Sequence, residues 1–110
     1  MSDTVMLRLG SVGKLRGEAY RVLFGVLGTL EFENRVGVSQ AELARLLGMR
    51  PQVVNRAWQV LVEQDLLRRV SLVGPGGVPR QVWFVSPLLA WKGEAKMHGQ
   101  AVRDWEAAAP

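Results

Sequence analysis

The sequence contains no cysteine, which excludes disulfide bridges, thiolate zinc sites and a cysteine nucleophile together. Histidine is nearly absent too. His98 stands alone, so a two-histidine metal site is excluded and no metal or other cofactor is expected. A serine-histidine-aspartate triad would need His98 beside both partners, but Asp104, six residues on, falls off its helical face. His98 therefore reads as a surface or packing residue, and the chain as a protein without catalysis. Long apolar runs are also missing. The longest, residues 22–30, spans nine residues and includes two glycines, against the roughly 18 that a bilayer span needs. The first residues, Met1-Ser2-Asp3-Thr4, lack the basic region and apolar stretch of a secretory signal. No membrane association is expected, and the protein reads as cytoplasmic. Negative charge is in short supply as well: ten Asp plus Glu against fourteen Lys plus Arg leave a net charge of +4, a balance that points to a polyanionic partner.

What is present suffices for one domain: 110 residues, 48% of them hydrophobic and 22% charged, the composition of an ordinary folded protein. Val5, Leu7 and Leu9 alternate with Met6 and Arg8, the pattern of a short half-buried strand, closed by Gly10-Ser11-Val12-Gly13. From Arg16 the period changes, and Ala19, Val22, Leu23, Val26, Leu27 and Leu30 form one helical stripe. Gly25 and Gly28 within it each cost about 1 kcal/mol relative to alanine, which implies that another element comes close at both. Ser39-Gln40-Ala41-Glu42 has the spacing of a capping box. It opens a short second helix with Leu43, Ala44 and Leu47 inward, and Gly48 is placed to end that helix in the left-handed conformation. Pro51 suits the first turn of a third helix, residues 51–64, because its missing N–H would have no partner there. Residues 66–73 and 80–85 read as strands. Between them, Gly74-Pro75-Gly76-Gly77-Val78-Pro79 forms the tip of a hairpin, a wing. Residues 94–107 are helical, with Met97, Ala101 and Trp105 spaced by four.

Helix, helix, tight turn, helix, hairpin is the order of a winged helix-turn-helix. The fold class is α+β, mainly α, with a short N-terminal strand and a C-terminal helix. Residues 1–92 form the DNA-binding domain, and residues 93–110 a C-terminal helix that is a candidate dimerisation element. A small residue is required where the first two motif helices cross, and Ala44 is there. Val54 and Ala57 close the core with Leu43 and Leu47, and Leu61 extends it toward the first helix. The opposite face of the third helix carries Gln52, Asn55, Arg56, Gln59 and Glu63. Asn and Gln match the N6/N7 edge of adenine and Arg the O6/N7 edge of guanine, so this face suits major-groove reading of double-stranded DNA. A solvated polar face is the bland alternative, and the helix-turn-helix spacing favours DNA over it. Val53 joins this set, Arg45 and Arg50 suit flanking phosphates, and Arg68 and Arg80 belong to the wing. Arg68 and Arg69 are adjacent in a strand and point to opposite faces, so at most one of them meets the duplex. The charge excess is local: residues 32–92 carry eight basic and four acidic groups, against four and three before them and two and three after.

The wing glycines are followed by no Lys-Ser/Thr and open no helix, so a phosphate-cradling nucleotide loop is excluded. Trp58, Trp83, Trp91 and Trp105 read as core or interface residues rather than as platforms for single strands.

Ala19-Tyr20-Arg21-Val22-Leu23, Asn34-Arg35-Val36, Val54-Asn55-Arg56-Ala57 and Ser86-Pro87-Leu88-Leu89-Ala90-Trp91-Lys92-Gly93 are landmarks through which residues 5–93 resemble the RepL-type replication proteins of small bacterial plasmids. That family usually has Asn before the proline of the last landmark, where this chain has Ser86. The resemblance implies binding to double-stranded sites at a plasmid origin, recruitment of host replication proteins, and no catalysis. The alternative is a small winged-helix transcriptional regulator using the same helix on an operator. A third class is a winged helix that meets another protein. Either DNA reading gains from a homodimer on paired half-sites, for which Met97, Ala101, Val102 and Trp105 offer an apolar strip that pairs with its copy or folds back on the first helix.

Overall fold

In the computed structural model, residues 4–7 are described as backbone and residues 17–108 in full. Leu9, the Gly10-Ser11-Val12-Gly13 closure and Arg16 lie outside the described residues. The apolar stripe that starts the domain forms helix α1, Glu18–Gly28, with Ala19, Val22, Leu23 and Val26 buried. Gly25 is closely approached by α2: a Cβ there would meet the Leu43 Cδ1 atom at 2.7 Å, so that side chain would have to shift. Gly28 is not: a Cβ there has nothing within 4 Å, so the close approach expected from its helix penalty is absent.

Helix α2, Gln40–Leu47, begins with a complete capping box. The Glu42 N–H donates to Ser39 Oγ at 3.1 Å and the Ser39 N–H to the Glu42 carboxylate at 3.2 Å, which holds that carboxyl below its ordinary pKa. Gly48 ends the helix at φ 63°, ψ 34°, a conformation that is strained for residues with a Cβ. Helix α3, Pro51–Glu63, starts on its proline and buries Val54, Ala57, Trp58 and Leu61. These join α1, Leu43 and Ala44 in one core.

Strands β2, Leu67–Val73, and β3, Pro79–Val85, form the antiparallel wing, in register from Leu67↔Val85 to Val73↔Pro79. Arg35 bridges to Phe84, and the Val36 N–H donates to the Trp83 carbonyl, so the loop after α1 flanks β3. The N-terminal strand β1, Thr4–Leu7, pairs antiparallel with β4, Ala90–Gly93. The sequence reading did not anticipate β4. Its four residues are buried or half-buried and lack the alternation that marks a strand.

Asn34 joins these parts. It is buried at 2% exposure, and its φ of 65° lies in the left-handed region that asparagine tolerates. Its amide donates to the carbonyls of Val85 at 3.0 Å and Ala90 at 2.6 Å, and its Oδ1 accepts from the Lys92 N–H at 2.8 Å. The side chain thus stitches the end of β3 to β4.

After a short turn at Ala95–Met97, helix α4, His98–Ala107, folds back onto its own domain. Through Trp105 it meets β2. Trp105 meets Arg68 of β2, with its ring centroid 3.8 Å from the guanidinium carbon. His98 donates from Nε2 to the Pro87 carbonyl at 2.7 Å and stacks on Trp91. It is therefore a packing residue. Among the described residues no helix is long and apolar enough to cross a membrane.

Candidate nucleic-acid interface

Helix α3 divides its side chains by angle. With Val54, Ala57, Trp58 and Leu61 committed to the core, Gln52, Asn55, Arg56, Gln59 and Glu63 are all exposed. Val53 is half-buried at the edge of this face. Arg45 is exposed on α2, and Arg50 is exposed at the N-cap of α3, just past the turn made by Gly48.

The basic groups are available for a ligand. Among the described residues, the ion pairs are those of Arg35 with Glu31, Arg68 with Asp65, and Lys96 with Glu94. Arg45, Arg50, Arg56, Arg69 and Arg80 are exposed and enter none of them. Glu42, three residues before Arg45, turns its carboxylate back to the Ser39 N–H. An exposed guanidinium outside any ion pair is suited to phosphate or to a guanine edge.

Arg68 departs from expectation. Its guanidinium makes two 2.7 Å bonds to the Asp65 carboxylate and one of 2.6 Å to the Trp105 carbonyl. Its side chain is only 16% exposed. Hydrogen bonding from Arg68 holds the Asp65 carboxyl below its ordinary pKa, partial burial opposes this, and the Arg68 charge adds to the lowering. Arg68 fastens α4 and is not part of an open face. Its neighbour Arg69 is the exposed member of the pair, on the sheet side of Trp83. Trp83 in turn meets the Trp58 ring of α3 edge-on at 5.5 Å. Arg80 is exposed on β3, opposite Leu72.

Two residues enter the site that the sequence reading had not selected. Arg69 is one, and Asp65 placed three residues before Arg68 was the local signal that would have separated the two. Gln40 is the other: its Oε1 accepts from Asn55 Nδ2 at 3.3 Å, linking the start of α2 to the outer face of α3. No local pattern marks that contact. Among the described residues no group of three or more His, Cys, Asp or Glu is arranged to hold a metal.

The sequence model of the MarR family matches residues 18–76, more than half of the chain, from the start of α1 into the tip of the wing. The chain belongs to the MarR family. No curated protein matches it. Membership assigns α1 to the wing to a DNA-binding winged helix-turn-helix and leaves the narrower replication-type resemblance without support. The landmarks behind that resemblance have structural work in this MarR-family chain. Asn34 braces β4, Lys92 donates from Nζ to the Leu30 carbonyl at 2.8 Å, and Trp91 donates to the Glu94 carbonyl at 3.0 Å. Gly93 lies under the Trp91 ring, where a Cβ would come within 2.8 Å. Such residues explain a shared architecture without specifying what the DNA site does.

Proposed function

We propose that the protein is a sequence-specific regulator of transcription that binds double-stranded DNA through the outer face of α3, without catalysis or cofactor. One observation carries this reading: the amide and guanidinium groups of Gln52, Asn55, Arg56 and Gln59 lie exposed together on the second helix of the helix-turn-helix. Membership in the MarR family supports regulation, and no residue on this face favours replication over it. Arg45, Arg50 and Arg69 flank the face as phosphate partners. Two copies on half-sites about one helical turn apart would multiply specificity. Because Trp105 is engaged within its own chain, a contact between copies through α4 would use other residues. The mass in solution by light scattering checks this.

The test is binding of the wild-type protein and Arg56→Ala to duplex fragments tiling its own gene and flanking DNA, at two salt concentrations. A protected site over a promoter, weakened about tenfold or more in the variant, is the expected result. Protection of repeats at an origin would replace regulation with replication. Equal binding of both proteins to all fragments, or none by either, would sink DNA reading by α3.

A further inference from the structure

We propose that Gln40 is a positioning residue that fixes the Asn55 amide in the orientation that reads adenine, an inference that rests on the DNA-reading function proposed above. Asn55 is exposed on α3, and its side chain would otherwise be free to exchange its nitrogen and oxygen by rotation. The two orientations are not equivalent to a base. Adenine offers an acceptor at N7 beside a donor at N6, and an asparagine matches it by donating one N–H to N7 while Oδ1 accepts from N6.

Gln40 selects between the orientations. The Gln40 amide carries both an acceptor and donors, and in the structure it presents the acceptor, Oε1, which takes a hydrogen bond from Asn55 Nδ2 at 3.3 Å and turns the Asn55 nitrogen toward α2. The amide nitrogen has two hydrogens. Engaging one leaves the other, together with Oδ1, as the donor–acceptor pair that adenine requires. Gln40 is well placed to hold this position. It is the first residue of α2, directly after Ser39, whose capping box fixes the backbone at this point. It is half-buried, unlike Asn55, so fewer of its own rotamers remain open. The contact spans the turn between the two helices of the motif, and it couples the docking of α2 to base reading by α3.

Sites are selected from a random duplex pool with the wild-type protein. Binding of Gln40→Ala, Gln40→Glu and Asn55→Ala is then measured to the selected site and to each of its single-base-pair substitutions, with thermal melts confirming that every variant is folded. Asn55→Ala should remove a preference for adenine of about tenfold at one base pair. Gln40→Ala should lower the preference at that same base pair by about fivefold, the size of one net hydrogen bond, and leave the base pair read by Arg56 unchanged. Gln40→Glu retains the acceptor oxygen. It should keep the adenine preference while binding all sequences more weakly, because it adds negative charge near phosphates. Gln40→Ala weakening all sequences equally would overturn the inference, as would Gln40→Glu losing the preference as fully as Gln40→Ala. Either result with a selected site still dependent on Arg56 removes the role of Gln40 and leaves the DNA-reading function standing. Failure of the wild-type protein to select any site removes both.

Discussion

On the outer face of α3, Arg56 is exposed and has no carboxylate within 4 Å among the described residues. At the base of the wing, Arg68 carries the same guanidinium but is bound along one edge by both oxygens of Asp65, from Nη1 by the Trp105 carbonyl, and across its plane by the Trp105 ring. The difference lies in the neighbours. Positions three and four residues to either side of Arg56 are Gln52, Val53, Gln59 and Val60, none of them acidic, whereas Asp65 stands three residues before Arg68. The braced half of the molecule, which includes Asn34, Asp65, Arg68 and α4, uses polar groups to close the fold. The open half, α2 and α3, leaves the guanidinium groups of Arg45, Arg50 and Arg56 without an ion pair among the described residues. A basic residue counts toward a nucleic-acid interface only after its internal partners have been accounted for, and the net charge alone makes no such distinction.

The sharpest test of the braced half is Asn34→Ala. It strands the Val85 and Ala90 carbonyls and the Lys92 N–H, and it places alanine at a φ of 65°. The expected loss is about 4 kcal/mol in urea unfolding, with base preference unaltered in the protein that remains folded. A loss under about 1 kcal/mol would mean that water replaces these bonds and that Asn34 is no brace. Arg68→Ala follows, with an expected loss of about 2 kcal/mol and a change in tryptophan fluorescence as Trp105 leaves its seat. Its salt dependence of DNA binding should match that of wild type. Weaker DNA binding at unchanged stability would return Arg68 to the interface and break the comparison.

The open half was the more legible in sequence. Each boundary of α2 and α3 is written by local chemistry: Ser39 and Glu42 cap, Gly48 turns, Pro51 starts. The 3.6-residue period then separates Val54, Ala57 and Leu61 from Asn55, Arg56 and Gln59. The braced half depends on partners far apart in the chain. Ala90-Trp91-Lys92-Gly93 becomes a strand because β1 and Asn34 supply its hydrogen bonds, and neither lies within its own stretch of sequence. The strip of Met97, Ala101 and Trp105 shows that α4 has an apolar side, but not that β2 receives it. The helix penalty at Gly25 and Gly28 is the same, and only the position of α2 decides that one of them meets a neighbour. Asp65 before Arg68 was the one local clue to the brace.

For the open half, Arg50→Ala is expected to weaken binding to selected and random duplex alike by about tenfold, and to make the salt slope shallower by about one unit. Its effect on stability should stay within about 0.5 kcal/mol, since Arg50 is exposed and no ion pair among the described residues includes it. A changed base preference in this variant would make Arg50 a reader rather than a phosphate contact.

The smallest expected effect is a pH dependence confined to the brace. Asp65 has its folded-state pKa lowered from the ordinary 3.8, first by hydrogen bonding from Arg68. A carboxylate whose pKa is lower in the folded state stabilises the fold above its unfolded pKa, and that contribution disappears as the pH falls through the folded value. The stability difference between the wild-type protein and Asp65→Asn should therefore stay constant from neutral pH down to about pH 5, then close as the pH falls below 3.8. Glu42 is lowered in the same direction by its bonds to Ser39, but it is present in both proteins and cancels from the difference. Arg68→Ala supplies the control. Without the guanidinium the main cause of the lowered pKa is gone, and replacing Asp65 by Asn in that background should give a difference with little dependence on pH. The absence of any gap at neutral pH would mean that Arg68 holds α4 through Trp105 alone, with Asp65 as a bystander.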